Sequence, residues 1–176
     1  MNDFEYAETL KILQQATQME IDGKEFYKHA SQKSSNDLGK KLLRSLAEEE
    51  DYHRKKFDEL YNEIRVKKAW PATDIQTDGG SNLRTVFANA LDKPTGTSVA
   101  QSEIDAVQLA IDMEAKTLDY YRSNSAAGKY DAEKEFYELL AGQEREHQLI
   151  LIDYYEYLKD PAGWYTSKEH HSLDGG

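Results

Sequence analysis

Two short stretches decide the fold: Glu48-Glu49-Glu50-Asp51-Tyr52-His53 and Gly142-Gln143-Glu144-Arg145-Glu146-His147. Each contains Glu-x-x-His, and the two lie 94 positions apart, His53 to His147. Each is preceded by a further glutamate 30 positions upstream, Glu20 before Glu50 and Glu114 before Glu144. Flanking positions repeat at the same offset: Ala16 with Ala110, Met19 with Met113, Tyr27 with Tyr121, Leu46 with Leu140, Tyr61 with Tyr155. One Glu-x-x-His means little in an acidic chain. Two, each with a glutamate at matching distance on the preceding segment, describe a duplicated unit.

Working outward, the units read as helical hairpins. Gly and Pro punctuate the chain in few places, chiefly Pro71, Gly79-Gly80, Pro94-Thr95-Gly96, Gly128 and Pro161-Ala162-Gly163. Between them lie four long helical segments. The first runs from about Asp3, a plausible cap, to Ser34. The second runs from Asn36-Asp37 to Lys68, the third from Thr97-Ser98 to about Asn124, and the fourth from about Lys129 to Lys159, where Asp160-Pro161 stops it. Tight turns at Ser34-Ser35-Asn36 and Ala126-Ala127-Gly128 make antiparallel neighbours. The link 69–96 can run the length of a bundle and predicts a short helix at 82–91. The fold class expected is all-α: a ferritin-like four-helix bundle over 1–160, with one long crossover between helices two and three and a C-terminal arm at 161–176. The alternative is a linker joining two separate hairpins. The arm carries His170-His171, whose adjacent positions do not share a helix face.

The glutamates and histidines fall on the apolar stripes. The second segment gives Leu43, Leu46, Glu50, His53, Phe57, Leu60 and Ile64; the fourth gives Tyr137, Leu140, Glu144, His147, Leu151, Tyr154 and Leu158. Leu13, Ala16, Glu20 and Tyr27 share a face of the first, and Val107, Ala110, Glu114 and Tyr121 share a face of the third. Six polar residues therefore point where core belongs. A buried unpaired carboxylate costs several kcal/mol or takes up a proton, and four together repel. Two divalent cations would neutralise four carboxylates, with one imidazole for each. A Glu from each of two helices plus Glu-x-x-His from each of the other two is the known ligand pattern of dimetal carboxylate bundles. Oxygen-rich ligation with imidazole suits iron or manganese, with zinc possible. The competing reading is ordinary Glu–His pairs with satisfied histidines.

On these residues (Ala16-x-x-x-Glu20-x-x-Gly23-x-x-Phe26-Tyr27, Glu48-Glu49-Glu50-x-x-His53, Met113-Glu114 and Glu144-x-x-His147) the chain resembles the rubrerythrin branch of the ferritin-like diiron-carboxylate superfamily. The resemblance implies two iron ions, bridged by Glu50 and Glu144, with Glu20 and Glu114 as terminal ligands and His53 and His147 one to each metal. It implies reduction of hydrogen peroxide or dioxygen at that centre, a role in oxidative stress. Rubrerythrins usually carry a rubredoxin domain with a four-cysteine iron site. This chain has no cysteine, so the electron donor expected is a separate, rubredoxin-like protein. Rubrerythrins also place a seventh carboxylate one turn from the third-helix Glu. Ile111 and Thr117 stand at those positions, so the ligand set is closer to the six-ligand bacterioferritin pattern. A ferroxidase or iron-storage protein, or a bundle that binds metal without catalysis, are the other readings.

Four further residues are candidate supports. Glu49 and Gln143 each precede a bridging Glu and could accept from a ligand imidazole N–H on the opposite helix, or simply face solvent. Tyr27 and Tyr121, two turns past the terminal Glu, could hydrogen-bond a ligand carboxylate or merely pack. Gly23 gives close packing or access to the metals.

Composition bounds the rest. Acids outnumber bases 33 to 22, for a net charge of −11, which excludes a phosphate-backbone binder and disfavours anionic membranes. Thiolate catalysis, Fe–S clusters and cysteine zinc sites need residues the chain lacks. The longest aliphatic run, Leu149-Ile150-Leu151-Ile152, is far too short to span a bilayer, and the N-terminus lacks a signal-peptide core. The expectation is a cytoplasmic homo-oligomer, a dimer, with no nucleic-acid or membrane partner.

Overall fold

The computed structural model describes residues 1–72, 75–76, 80–91, 100–164 and 166. They form five helices: α1 (Asp3–Lys33), α2 (Asp37–Lys67), α3 (Ser81–Leu91), α4 (Gln101–Ala127) and α5 (Asp131–Lys159). No strand occurs among the described residues. α1 pairs with α2 and α4 with α5 as antiparallel hairpins, and α3 lies against α2 and α5. The chain is an all-α bundle in which the crossover supplies α3, one residue longer than the 82–91 expected.

The helix ends follow cap chemistry, with small corrections. Asn2, not Asp3, caps α1: its side chain accepts from the Glu5 N–H at 2.9 Å, and the Glu5 carboxylate accepts from the Asn2 N–H at 3.1 Å. Asn36 caps α2 by accepting from the Gly39 N–H at 2.7 Å. α4 begins at Gln101 behind Ala100, which offers no side-chain cap; Thr97-Ser98 lie outside the described residues, as do His170-His171. α4 continues to Ala127, beyond the Asn124 expected. α5 starts at Asp131 rather than Lys129, because the Glu133 carboxylate accepts from the Lys129 N–H at 2.9 Å and holds it in the turn. Asp160-Pro161 stops α5 as expected. Asp160 then accepts from the Gly163 N–H at 3.0 Å and opens a further helical turn at 161–164, which sets Trp164 edge-on against Phe87 and Tyr157.

Two apolar clusters fill the bundle, one toward each end. One gathers Leu42, Leu43, Leu46, Val107, Leu151 and Tyr154, with Leu83 and Phe87 of α3. The other gathers Leu13, Phe57, Leu60, Ile64, Tyr121 and Tyr137. Each fully buried large side chain contributes about 1.5–3 kcal/mol. Between the clusters lies a polar layer, one turn deep, in which the helices present glutamate and histidine.

Candidate metal centre

That layer holds all six residues singled out from the repeat. Glu20 on α1, Glu50 and His53 on α2, Glu114 on α4, and Glu144 and His147 on α5 are 0–4 % exposed. Their ligand atoms form two overlapping groups: Glu20, Glu50, His53 and Glu144, and Glu50, Glu114, Glu144 and His147, with the atoms of each within 4.8 Å of one another. Glu50 and Glu144 belong to both. The sharing follows from the fold, because these two residues sit on the Glu-x-x-His helices and face each other across the hairpins.

The imidazoles are oriented alike. His53 Nδ1 lies 3.3 Å from Glu20 Oε2 and 3.1 Å from Glu144 Oε1. His147 Nδ1 lies 3.2 Å from Glu50 Oε1 and 3.4 Å from Glu144 Oε2. The rings stack 5.6 Å apart, 14° from parallel. Each turns Nε2 away from the centre. His147 Nε2 lies 2.9 Å from Glu49 Oε2, and His53 Nε2 contacts Gln143 Oε1. With Nδ1 facing the carboxylates, Nε2 carries the proton to these acceptors. The candidate supports Glu49 and Gln143 thus meet the histidine of the opposite hairpin. Tyr27 and Tyr121 cross over too: Tyr27 donates to Glu114, and Tyr121 donates to Glu20. Burial first, then the neighbouring glutamates, pushes both phenols well above their ordinary range, so they stay protonated and act as donors. Gly23 packs directly on the centre. A Cβ there would come 3.2 Å from Glu50 Oε2.

The electrostatics test whether the cluster fits cations. Glu20 Oε2, Glu50 Oε1, both Glu144 oxygens, His53 Nδ1 and His147 Nδ1 are buried and accept or donate no hydrogen bond. All point inward, and an orphaned buried carboxylate oxygen is expensive. Burial, then Glu144, pushes Glu114 up to about 8. The same causes push Glu50 well above its ordinary value. Burial alone would lower His53 and raise Glu144. Glu20 and Glu144 together outweigh it at His53, which is raised, and His147, His53 and Glu114 together outweigh it at Glu144, which is held low. Without cations the layer therefore retains protons. Two divalent ions would displace those protons and occupy every orphaned atom. Four carboxylates and two imidazole nitrogens are the hard and borderline donors that iron or manganese takes. The residues fit the group.

One carboxylate escaped the sequence reading. Glu103, in the first turn of α4, looks there like an ordinary helix-start acid, yet it is 8 % exposed. It accepts from Ser34 Oγ at 2.6 Å, the Ser35 N–H at 3.1 Å, Ser35 Oγ at 2.6 Å, Asn36 Nδ2 at 3.0 Å and Tyr154 Oη at 2.8 Å. It locks the α1–α2 turn to α4 and α5. Gly39 makes room for it, since a Cβ there would collide with Tyr154 Oη, Ser34 Oγ and Glu103 Oε1. The sole sequence hint was Asn36, a cap. In the sequence Tyr154 reads as core alone.

Comparison with known families agrees with this geometry. The rubrerythrin family model matches residues 11–88, a stretch that contains Glu20, Glu50, His53 and Glu49. Neither the curated proteins nor the solved structures include a significant match to the chain. No described helix is long and apolar enough to cross a membrane.

Proposed function

We propose that this rubrerythrin-like, ferritin-like helical protein is a dimetal oxidoreductase, with two iron ions as its resident metals, that reduces hydrogen peroxide or dioxygen. The observation that carries the reading is the pair of ligand groups sharing Glu50 and Glu144, every member buried, with carboxylate oxygens of Glu20, Glu50 and Glu144 and both histidine Nδ1 atoms facing one another outside any hydrogen bond. A site built only to fold would satisfy those atoms with donors, as Glu103 is satisfied. Two ferrous ions held there would supply the two electrons that, with two protons, convert peroxide to water.

The chain's own groups have definable tasks. Glu50 and Glu144 would bridge the ions, Glu20 and His53 would complete one subsite, and Glu114 and His147 the other. Tyr27 and Tyr121 hold the terminal carboxylates from the opposite hairpin and fix which oxygen faces inward. The apolar clusters above and below exclude bulk water, which strengthens each charge interaction inside. A polar groove lined by Ser45, Glu48, Tyr52 and Gln76 also exposes Glu49 and Gln143, the acceptors behind the two imidazoles. Electrons would reach the centre from a separate carrier protein of rubredoxin type.

The test is single-turnover oxidation. Protein loaded with two ferrous ions without air should oxidise fully on one equivalent of peroxide and accept electrons again from a reductant. Ferrous protein that survives stoichiometric peroxide and air sinks the reading. Progressive accumulation of ferric mineral in a large assembly, without reductant-dependent turnover, would point instead to ferroxidase and storage.

A further inference from the structure

The repeat that builds the centre is broken behind the two ligand imidazoles. Glu49 and Gln143 are equivalent by the 94-residue offset, His53 to His147, and both lie one residue before a bridging glutamate. Each accepts from the outer nitrogen of one ligand imidazole. One subsite therefore backs its histidine with a carboxylate, the other with a neutral amide. The surroundings differ in step. The Glu49 side chain is 23 % exposed and opens onto the polar groove. Gln143 is 9 % exposed, and its Nε2 has no partner, so the amide offers His53 an acceptor and nothing more.

A carboxylate on the far nitrogen of a ligand imidazole pulls its proton, raises the basicity of the coordinating nitrogen and fixes the ring. Loss of such a partner typically costs about 10–100-fold in metal affinity. An amide fixes the ring without supplying the charge. The six ligands and the two tyrosines are paired across the pseudo-two-fold: glutamate with glutamate, histidine with histidine, Tyr27 with Tyr121.

Resting on the dimetal reading above, we propose that Glu49 and Gln143 make the two subsites unequal, so that the His147–Glu114 subsite binds its ion more tightly and fills first, and the His53–Glu20 subsite fills second. Glu49 and Gln143 are positioning residues, acting through the imidazoles rather than on the metals. The shared bridges Glu50 and Glu144 serve both ions and do not discriminate. The weaker subsite is the one whose ion leaves first and returns last when metal is scarce.

The experiment is calorimetric titration of metal-free protein with Co²⁺ alone, without air, using wild type, E49Q and Q143E. All three keep the side-chain length and an acceptor at each imidazole, and helicity by circular dichroism checks the fold. Wild type should bind two ions in two resolved steps. E49Q should weaken the tighter step about tenfold or more and leave the weaker one in place, while Q143E should tighten the weaker step. Proton spectra of the Co²⁺ form give an independent reading. Two shifted, exchangeable imidazole N–H signals are expected, with E49Q moving one and Q143E the other. An E49Q protein with both constants unchanged, or with only the weaker step affected, overturns the proposal while the dimetal reading stands. Fewer than two ions bound by wild type overturns both.

Discussion

Replacing Glu103 tests whether a carboxylate far from the metals holds the hairpins in register. In Glu103→Ala, Ser34 Oγ keeps a bond to the Asn36 carbonyl at 3.1 Å, and Asn36 Nδ2 keeps Tyr154 Oη at 3.1 Å. The Ser35 N–H and hydroxyl lose the acceptor they have in the intact protein. Hydrogen bonds to a charged group are worth about 1.5–3 kcal/mol each. With partial rescue of the others, the expected loss is about 3–5 kcal/mol. For a chain of this length that lowers the melting temperature by roughly 10 °C. Glu103→Gln should fall between, since it keeps an oxygen but turns an N–H₂ toward donors. The pH dependence sharpens the test. Burial raises the Glu103 carboxyl, but Ser34 and Ser35 outweigh it and hold its pKa below 4.5. A depressed carboxylate contributes stability that is present above its unfolded pKa and is lost as pH falls through the folded one. The penalty of the Ala variant should therefore be full at pH 7 and shrink below about pH 4. Urea unfolding of metal-free protein at both pH values measures it. A loss under about 1 kcal/mol at pH 7, or a loss that does not change in acid, would refute the latch.

Two further outcomes follow from the centre itself. Metal-free protein should lose stability as pH rises from 4.5 to about 8, because folded Glu114, and Glu50 with it, keep protons that the unfolded chain has released. The raised histidines act in the same direction, and Glu144, held low, adds a constant contribution across that window. Urea midpoints at pH 5.5 and 8 check the sign, and the gain on adding Mn²⁺ should be larger at pH 8. Tyr121→Phe removes the donor to Glu20 while keeping the ring between Phe57 and Tyr137. Metal affinity should drop about tenfold, and metal-free stability should fall by about 1–3 kcal/mol because Glu20 loses its donor, as titration and denaturation of the same variant would show.

What was legible in the sequence was whatever repeats locally. The stripes through Glu50, His53, Glu144 and His147 run at helical spacing, so burial and helix faces could be read from single segments, and every residue of those two stripes is buried. The crossed supports were also within reach, because Glu49 and Gln143 sit one residue from a bridge and the outer imidazole nitrogen needs an acceptor. Glu103 was not. Its partners lie 51 to 69 positions away, and nothing in its own helix distinguishes it from a solvated first-turn acid. Gly39 was missed for the same reason: the atoms a Cβ would strike come from α4, α5 and the turn, not from its neighbours in sequence. The start of α4 escaped because Ala100 caps without a side chain, leaving Thr97-Ser98 as the nearest cap chemistry to read.

The account stands on the buried quartet of glutamates being a binding site for two ions. The most direct measurement is metal content and visible–near-ultraviolet absorbance of protein purified without air, beside a Glu50→Ala/Glu144→Ala variant that removes both shared ligands. The account predicts two iron ions per chain, near-ultraviolet absorbance that bleaches on reduction, and loss of both ions together in the variant. Folded wild-type protein that holds no metal, or a variant that still holds two, would contradict it.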